Sequence, residues 1–213
     1  MKAGKGGRKM SKLFHPEGKF AQYGGKLADL MWLNLLVLLC VLPVFTAGAS
    51  FCAMHYVLVK LHRGEDVLVT KAFFKSLRGN LKQSLALSVI FSAFCYLLAV
   101  GIRFVYTSQT FPLGRYLFPL TLLVVLSVFN WTIIFQSRYH NTVWGTIRLA
   151  VMTVLGYPVR SVCMVVLAVT PFVMLFVAEG NLIIVLMAAV SLTGLLQTML
   201  YNGVLRRLEQ TEK

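Results

Sequence analysis

One apolar run constrains this chain more than any other feature. Residues 27–61, LADLMWLNLLVLLCVLPVFTAGASFCAMHYVLVKL, are interrupted once, at Pro43 to Gly48, and have lysines at or just beyond their ends. As a single helix the run would be about 52 Å long at 1.5 Å per residue, against a hydrocarbon core of about 30 Å. One uninterrupted span does not fit. Pro43 lacks a backbone N–H and clashes with the preceding turn, and Thr46, Ala47, Gly48, Ala49 and Ser50 are small enough for a reversal. The run therefore predicts a hairpin: two spans, or one span and a re-entrant segment. Its second arm, residues 47–61, is about 22 Å long and short of the core.

Charge tests the hairpin independently, because Lys and Arg accumulate in cytoplasmic loops. Seven basic residues precede Leu27, and six more, Lys60, Arg63, Lys71, Lys75, Arg78 and Lys82, lie from the end of the run to the next apolar stretch. Both flanks belong inside. Six membrane segments with both termini cytoplasmic put 19 basic residues inside and only Arg103 and Arg115 outside, whereas five segments split them 12 to 9. The sequence thus predicts an all-α, polytopic cell-membrane protein of about six membrane segments. A basic cytoplasmic segment (1–26) precedes a single helical transmembrane domain (27–205), and a short cytoplasmic tail (206–213) follows it.

Composition agrees. The chain is 58% hydrophobic and 13% charged, where soluble domains average about 25% charged. The net charge of +14 sits at the ends of apolar runs and not on a separable module. That pattern argues against nucleic acid and for a bilayer with anionic headgroups. Cys40, Cys52, Cys95 and Cys163 lie singly within apolar runs and read as small buried hydrophobes.

Between the hairpin and the next span, Lys71, Lys75, Arg78 and Lys82 recur at helical steps, and Phe73, Leu77 and Leu81 line another face beside Phe74. This predicts a basic amphipathic helix over 67–83 in the inner interface, with Thr70 as an N-cap candidate. Its cations form a candidate cytoplasmic coupling or lipid surface. Residues 84–105 follow as a span, with Arg103 snorkelling at its outer end. Residues 116–136 return, and a second interfacial helix is expected over 142–155, ended by Gly156-Tyr157-Pro158. Helix, breaker, basic residue and span then follow in similar order twice, with Lys82 corresponding to Arg160. That order suggests a weak internal repeat of the kind transporters use. The last pair, 159–178 and 182–205, is joined by Glu179-Gly180-Asn181; Pro171 is expected to kink its first member. Ala188, Ala189, Ser191 and Gly194 suit close packing in the second.

Polar groups at membrane depth are functional candidates by default. Asn34, His55 and Asn130 form the candidate intramembrane site, although Asn34 and Asn130 more often serve as hydrogen bonds between helices; Gln136 is a further polar candidate, Gln197 can hydrogen-bond across helices, and Asp29 is expected to pair with Lys26. There is no buried carboxylate pair, G-x-S-x-G elbow or phosphate loop. The chain reads as non-catalytic, with no metal or cofactor called for.

The stretches LFHPEGKFAQ, NLLVLLCVLPVFTAGAS and FFKSLRGNLKQS resemble the YesL-like family of bacterial integral membrane proteins of unknown function, most closely over residues 13–90. The resemblance implies a multi-spanning protein of Bacillus-type bacteria, associated with ABC-type carbohydrate uptake and with a sugar permease as partner. It supplies no reaction or ligand. A small-solute carrier or channel is the alternative.

Overall fold

The chain, in a computed structural model that describes residues 19–43, 46–108, 113–139, 142–177 and 182–211, is helical throughout its described elements. Seven helices follow in order: α1 (Lys19–Val41), α2 (Ala47–His62), α3 (Val69–Ser108), α4 (Gly114–Arg138), α5 (Val143–Gly156), α6 (Pro158–Val177) and α7 (Leu182–Thr211). The basic tail 1–12, the stretch 13–18, Pro112 and the connection 179–181 lie outside the described residues, as do the side chains of Ala188 and Ala189.

The hairpin forms as expected. The Thr46 N–H donates to the Pro43 carbonyl at 2.8 Å, and its hydroxyl donates to the carbonyl of Cys40, the second-last residue of α1. Gly48, Ala49 and Ser50 belong to α2 and not to the reversal. They serve packing instead: Gly48 meets Ser88 of α3 so closely that any Cβ would displace it. At its other end α2 stops at Gly64, which takes φ +76° while its N–H and that of Glu65 close on Leu61 and Lys60. A left-handed glycine after the last turn satisfies carbonyls the helix would otherwise leave open.

Short α2 is the centre of the molecule. Ten of its residues are buried, from Gly48 to Val59, and it packs against α1, α3, α4 and α7. One buried cluster joins Leu33 and Val37 of α1, Ala53 and Leu58 of α2, and Phe73 and Leu77 of α3. A second gathers around Trp131, Phe135 and Tyr201 and draws side chains from α2 through α7. The large apolar side chains left outside, such as Leu39, Val89, Leu97 and Leu120, face where lipid would lie.

The largest departure from the sequence expectation is α3. An interfacial helix over 67–83 and a separate span over 84–105 are in fact one helix of 40 residues, about 60 Å long. Gly79 is the only breaker in RGNLKQS and meets nothing within 4 Å. A lone glycine costs about 1 kcal/mol against alanine, too little to stop a helix packed on both sides of it. Thr70 is no cap: it lies within α3, where its hydroxyl accepts from the Trp32 indole at 2.8 Å.

The helix expected over 142–155 does form as a separate element. Thr142 is its N-cap, accepting from the Gly145 N–H at 3.3 Å, and α5 and α6 meet at 111° across Tyr157. Among the described residues, three helices are long and apolar enough to cross a membrane by themselves: Gly24–Val41, Val69–Thr107 and Gly114–Arg138. A fourth arises if the bent pair α5 and α6 counts as one span. At 16 residues, α2 is too short to cross alone. The chain is a polytopic helical membrane protein, with fewer self-sufficient spans in the described residues than the six segments expected.

Candidate functional site

Buried polar side chains in this bundle mostly hydrogen-bond between helices or to their own backbone. The Gln136 amide donates to Ser84 Oγ at 2.9 Å and to the Asn80 carbonyl at 3.3 Å, pinning α4 to the middle of α3. The Trp131 indole donates to Ser161 Oγ at 2.9 Å, joining α4 to α6. Asn34 Oδ1 accepts from the Ser191 N–H at 3.2 Å and from its hydroxyl at 3.4 Å, joining α1 to α7. Such bonds average about 0.6 kcal/mol in membrane proteins and reach about 1.7.

Of the three residues expected to share an intramembrane site, the fold brings two together. His55 and Asn130 line one cavity of about 240 Å³ between α2, α4, α6 and α7; Asn34 does not reach it. Asn34 is fully buried and spent on the α1–α7 contact. Thr193 and Gln197 of α7 complete the polar part of the wall, and the remainder is apolar, including Phe51, Ile133 and Ala168. Pro171, expected as a kink, stays inside α6 and contributes to the same wall.

The bonding around the cavity fixes which groups can receive a ligand. Gln197 donates to the Met164 carbonyl at 2.8 Å, and Thr193 to the Val190 carbonyl at 3.1 Å. Thr198 gives its one proton to the Gly194 carbonyl at 2.8 Å, so the 3.2 Å contact between Thr198 and Tyr201 has the tyrosine as donor. Tyr201 OH is then the acceptor in its 3.5 Å contact with His55 Nδ1. A neutral imidazole carries one proton; placed on Nδ1, it leaves Nε2 as an acceptor. The rings also meet edge to face at 5.7 Å. Asn130 Oδ1 is buried and has no partner. The sequence missed Tyr201 and Thr198 because an aromatic near the inner end of a span ordinarily reads as an interface anchor.

The second candidate surface is the basic face of α3. Lys71, Lys75, Arg78 and Lys82 are all exposed, while Phe73 and Leu77 are buried against α1 and α2. Elsewhere the sequence pairing of Asp29 with Lys26 does not form; the ion pair among the described residues joins Lys60 to Glu65 at 3.5 Å. Of the cysteines, all free, Cys52 is buried and Cys163 is exposed, which corrects the expectation that all four are internal.

The architecture defines a class, polytopic helical membrane proteins with a short buried central helix. Residues 30–102 match a family model described as a protein of unknown function, DUF624. That segment runs from α1 through the hairpin and most of α3. No curated protein and no solved structure matches the chain.

Proposed function

We propose that this chain is a non-catalytic accessory or regulatory protein of the cell membrane, working beside an ABC-type carbohydrate uptake system. The observation that carries the reading is the exposed row Lys71, Lys75, Arg78 and Lys82 on a helix whose apolar side is already occupied by α1 and α2. Cations aligned on one face of a helix and unused in internal packing suit an acidic partner surface or anionic headgroups. The 19 to 2 distribution of basic residues supports placing that face, and both termini, in the cytoplasm. The DUF624 match covers this helix, and the YesL-like resemblance over the same helices is the source of the carbohydrate permease as partner.

The test is crosslinking in the native membrane, gentle extraction and identification of what co-purifies. A sugar ABC permease recovered in stable proportion with the wild type, and lost from the triple variant Lys71→Glu, Lys75→Glu, Arg78→Glu at unchanged protein level, is the expected result. Equal recovery with the triple variant ends the coupling reading.

A second reading, a small-solute carrier or channel, draws on the cavity that gathers His55 and Asn130. It requires His55→Ala or Asn130→Ala to abolish solute flux in liposomes while the protein level holds.

A further inference from the structure

The cavity between α2, α4, α6 and α7 has an unbalanced polar inventory. Thr193 and Gln197 are donating into the protein's own backbone. The chain of hydroxyls from Tyr201 through Thr198 ends on the Gly194 carbonyl and favours the His55 tautomer with its proton on Nδ1. What remains at the wall is the second nitrogen of His55, an acceptor when the proton is on Nδ1, and the primary amide of Asn130, whose Oδ1 is buried and unpartnered. A half-turn about χ2 of Asn130 exchanges its amide nitrogen and oxygen and can present Oδ1 to the cavity. At membrane depth an acceptor without a donor is costly, and lipid tails offer none.

Size and lining complete the specification. A cavity of about 240 Å³ is larger than the apolar cavity of about 150 Å³ that accepts benzene, and smaller than the roughly 300–1,000 Å³ of drug-sized pockets. Apart from the four polar residues its wall is hydrocarbon, aromatic and thioether. We propose that it is a binding site for a small amphipathic alcohol, whose hydroxyl donates to His55 or Asn130 and whose hydrocarbon body lies against Phe51, Ile133 and Ala168. The site is separate from the basic face of α3 and stands whether or not that face docks a permease.

The experiment uses the full chain in phosphatidylcholine vesicles and a photoreactive probe, octan-1-ol bearing a diazirine at carbon 3, with the same diazirine on octane as the control lacking a donor. Adducts mapped by mass spectrometry are expected to concentrate on residues 51–55, 126–133 and 165–171, to saturate, and to be displaced by plain octan-1-ol. Asn130→Leu or His55→Phe is expected to lower labelling by the alcohol about fivefold to tenfold, the worth of one hydrogen bond, and to leave labelling by the octane analogue unchanged. Ala168→Leu, which fills the space without touching the polar groups, is expected to abolish labelling by both. Adducts spread evenly over lipid-facing residues such as Val89 and Leu97 would overturn the proposal. So would cavity labelling by the octane analogue equal to that by the alcohol, or alcohol labelling unaffected in both polar variants.

Discussion

In the first half of α3 the apolar side chains face the protein and the cations face outward; α5 turns small residues and Val154 toward the protein and leaves Trp144, Val151, Met152 and Leu155 outside. Phe73 and Leu77 are buried against α1 and α2, leaving Lys71, Lys75, Arg78 and Lys82 exposed. In α5, Thr146, Ala150 and Thr153 are buried, which lets its backbone approach closely, while Trp144, Met152 and Leu155 are exposed. Both stretches are amphipathic helices ahead of an apolar helix. Only α5 has an apolar face left over for a bilayer surface. Amphipathicity alone does not say which solvent the apolar face meets, and a neighbouring helix competes with lipid for it.

The joints differ for a reason that resides in two residues. Tyr157 precedes a proline, which disfavours the helical region for it, and it sits at φ −135°, ψ 61°. Pro158 then opens α6 at the first helical position, where its missing N–H has no intrahelical role. The corresponding stretch of α3 has Gly79 and no proline, and the helix runs through. The apparent repeat is therefore one of residue order and not of structure.

The largest effect expected from this contrast is at Phe73. It is 0% exposed and shared among three helices, so Phe73→Ala should destabilise the protein by about 3–5 kcal/mol through lost burial and a cavity. Thermal unfolding in mild detergent checks this. A change below about 1 kcal/mol would mean that the apolar stripe of α3 faces lipid or detergent after all, and the contrast with α5 would disappear.

How much of this was legible beforehand depended on whether a feature was local. The hairpin and the end of α5 at Gly156 follow from residues within one turn of the event, and sequence reasoning reached them; Thr142 as the cap is equally local, but the sequence offered Thr70 in that role and not Thr142. The basic face of α3 was equally legible, because it is a matter of period. The partner of its apolar face was not: that Phe73 joins a cluster with Leu33 and Leu58 depends on contacts between residues far apart in the chain. The candidate site shows the same division. His55 and Asn130 stood out as polar groups in apolar runs, but nothing local separated them from Asn34, which Ser191 engages from 157 residues away. The contact of Tyr201 with His55 likewise exists only once α2 and α7 meet, although the hydroxyls of Tyr201 and Thr198 are neighbours on α7 itself.

The joint can be broken directly. Gln83→Pro places a proline inside α3 four residues after Gly79, removes the N–H bond of residue 83 and crowds the preceding turn. It should cost about 3 kcal/mol or more and disturb the adjacent Gln136 bonds to Ser84 and Asn80. Distances between spin labels placed at the exposed positions of Lys75 and Val89 should broaden or shift in the variant. An unchanged distance with unchanged stability would show that this segment already bends as α5 and α6 do, and that the continuous helix is not what sets the two regions apart.

The smallest effect sharpens the other side of the comparison. Leu155 is 76% exposed on α5, so Leu155→Ala removes a side chain that touches little protein and leaves no cavity. Its cost to thermal unfolding in detergent should stay within about 0.5 kcal/mol, the range for surface positions. What the leucine contributes must then be to the solvent it meets. If α5 lies against lipid, a fluorophore attached to the thiol of the Leu155→Cys variant should be quenched by brominated acyl chains and spared by aqueous iodide. The same fluorophore on the Lys75→Cys variant, in α3, should show the reverse. Equal iodide quenching at both positions would make the exposed apolar face of α5 a protein-binding surface in water. The difference between the two helices would then lie in the partner each awaits.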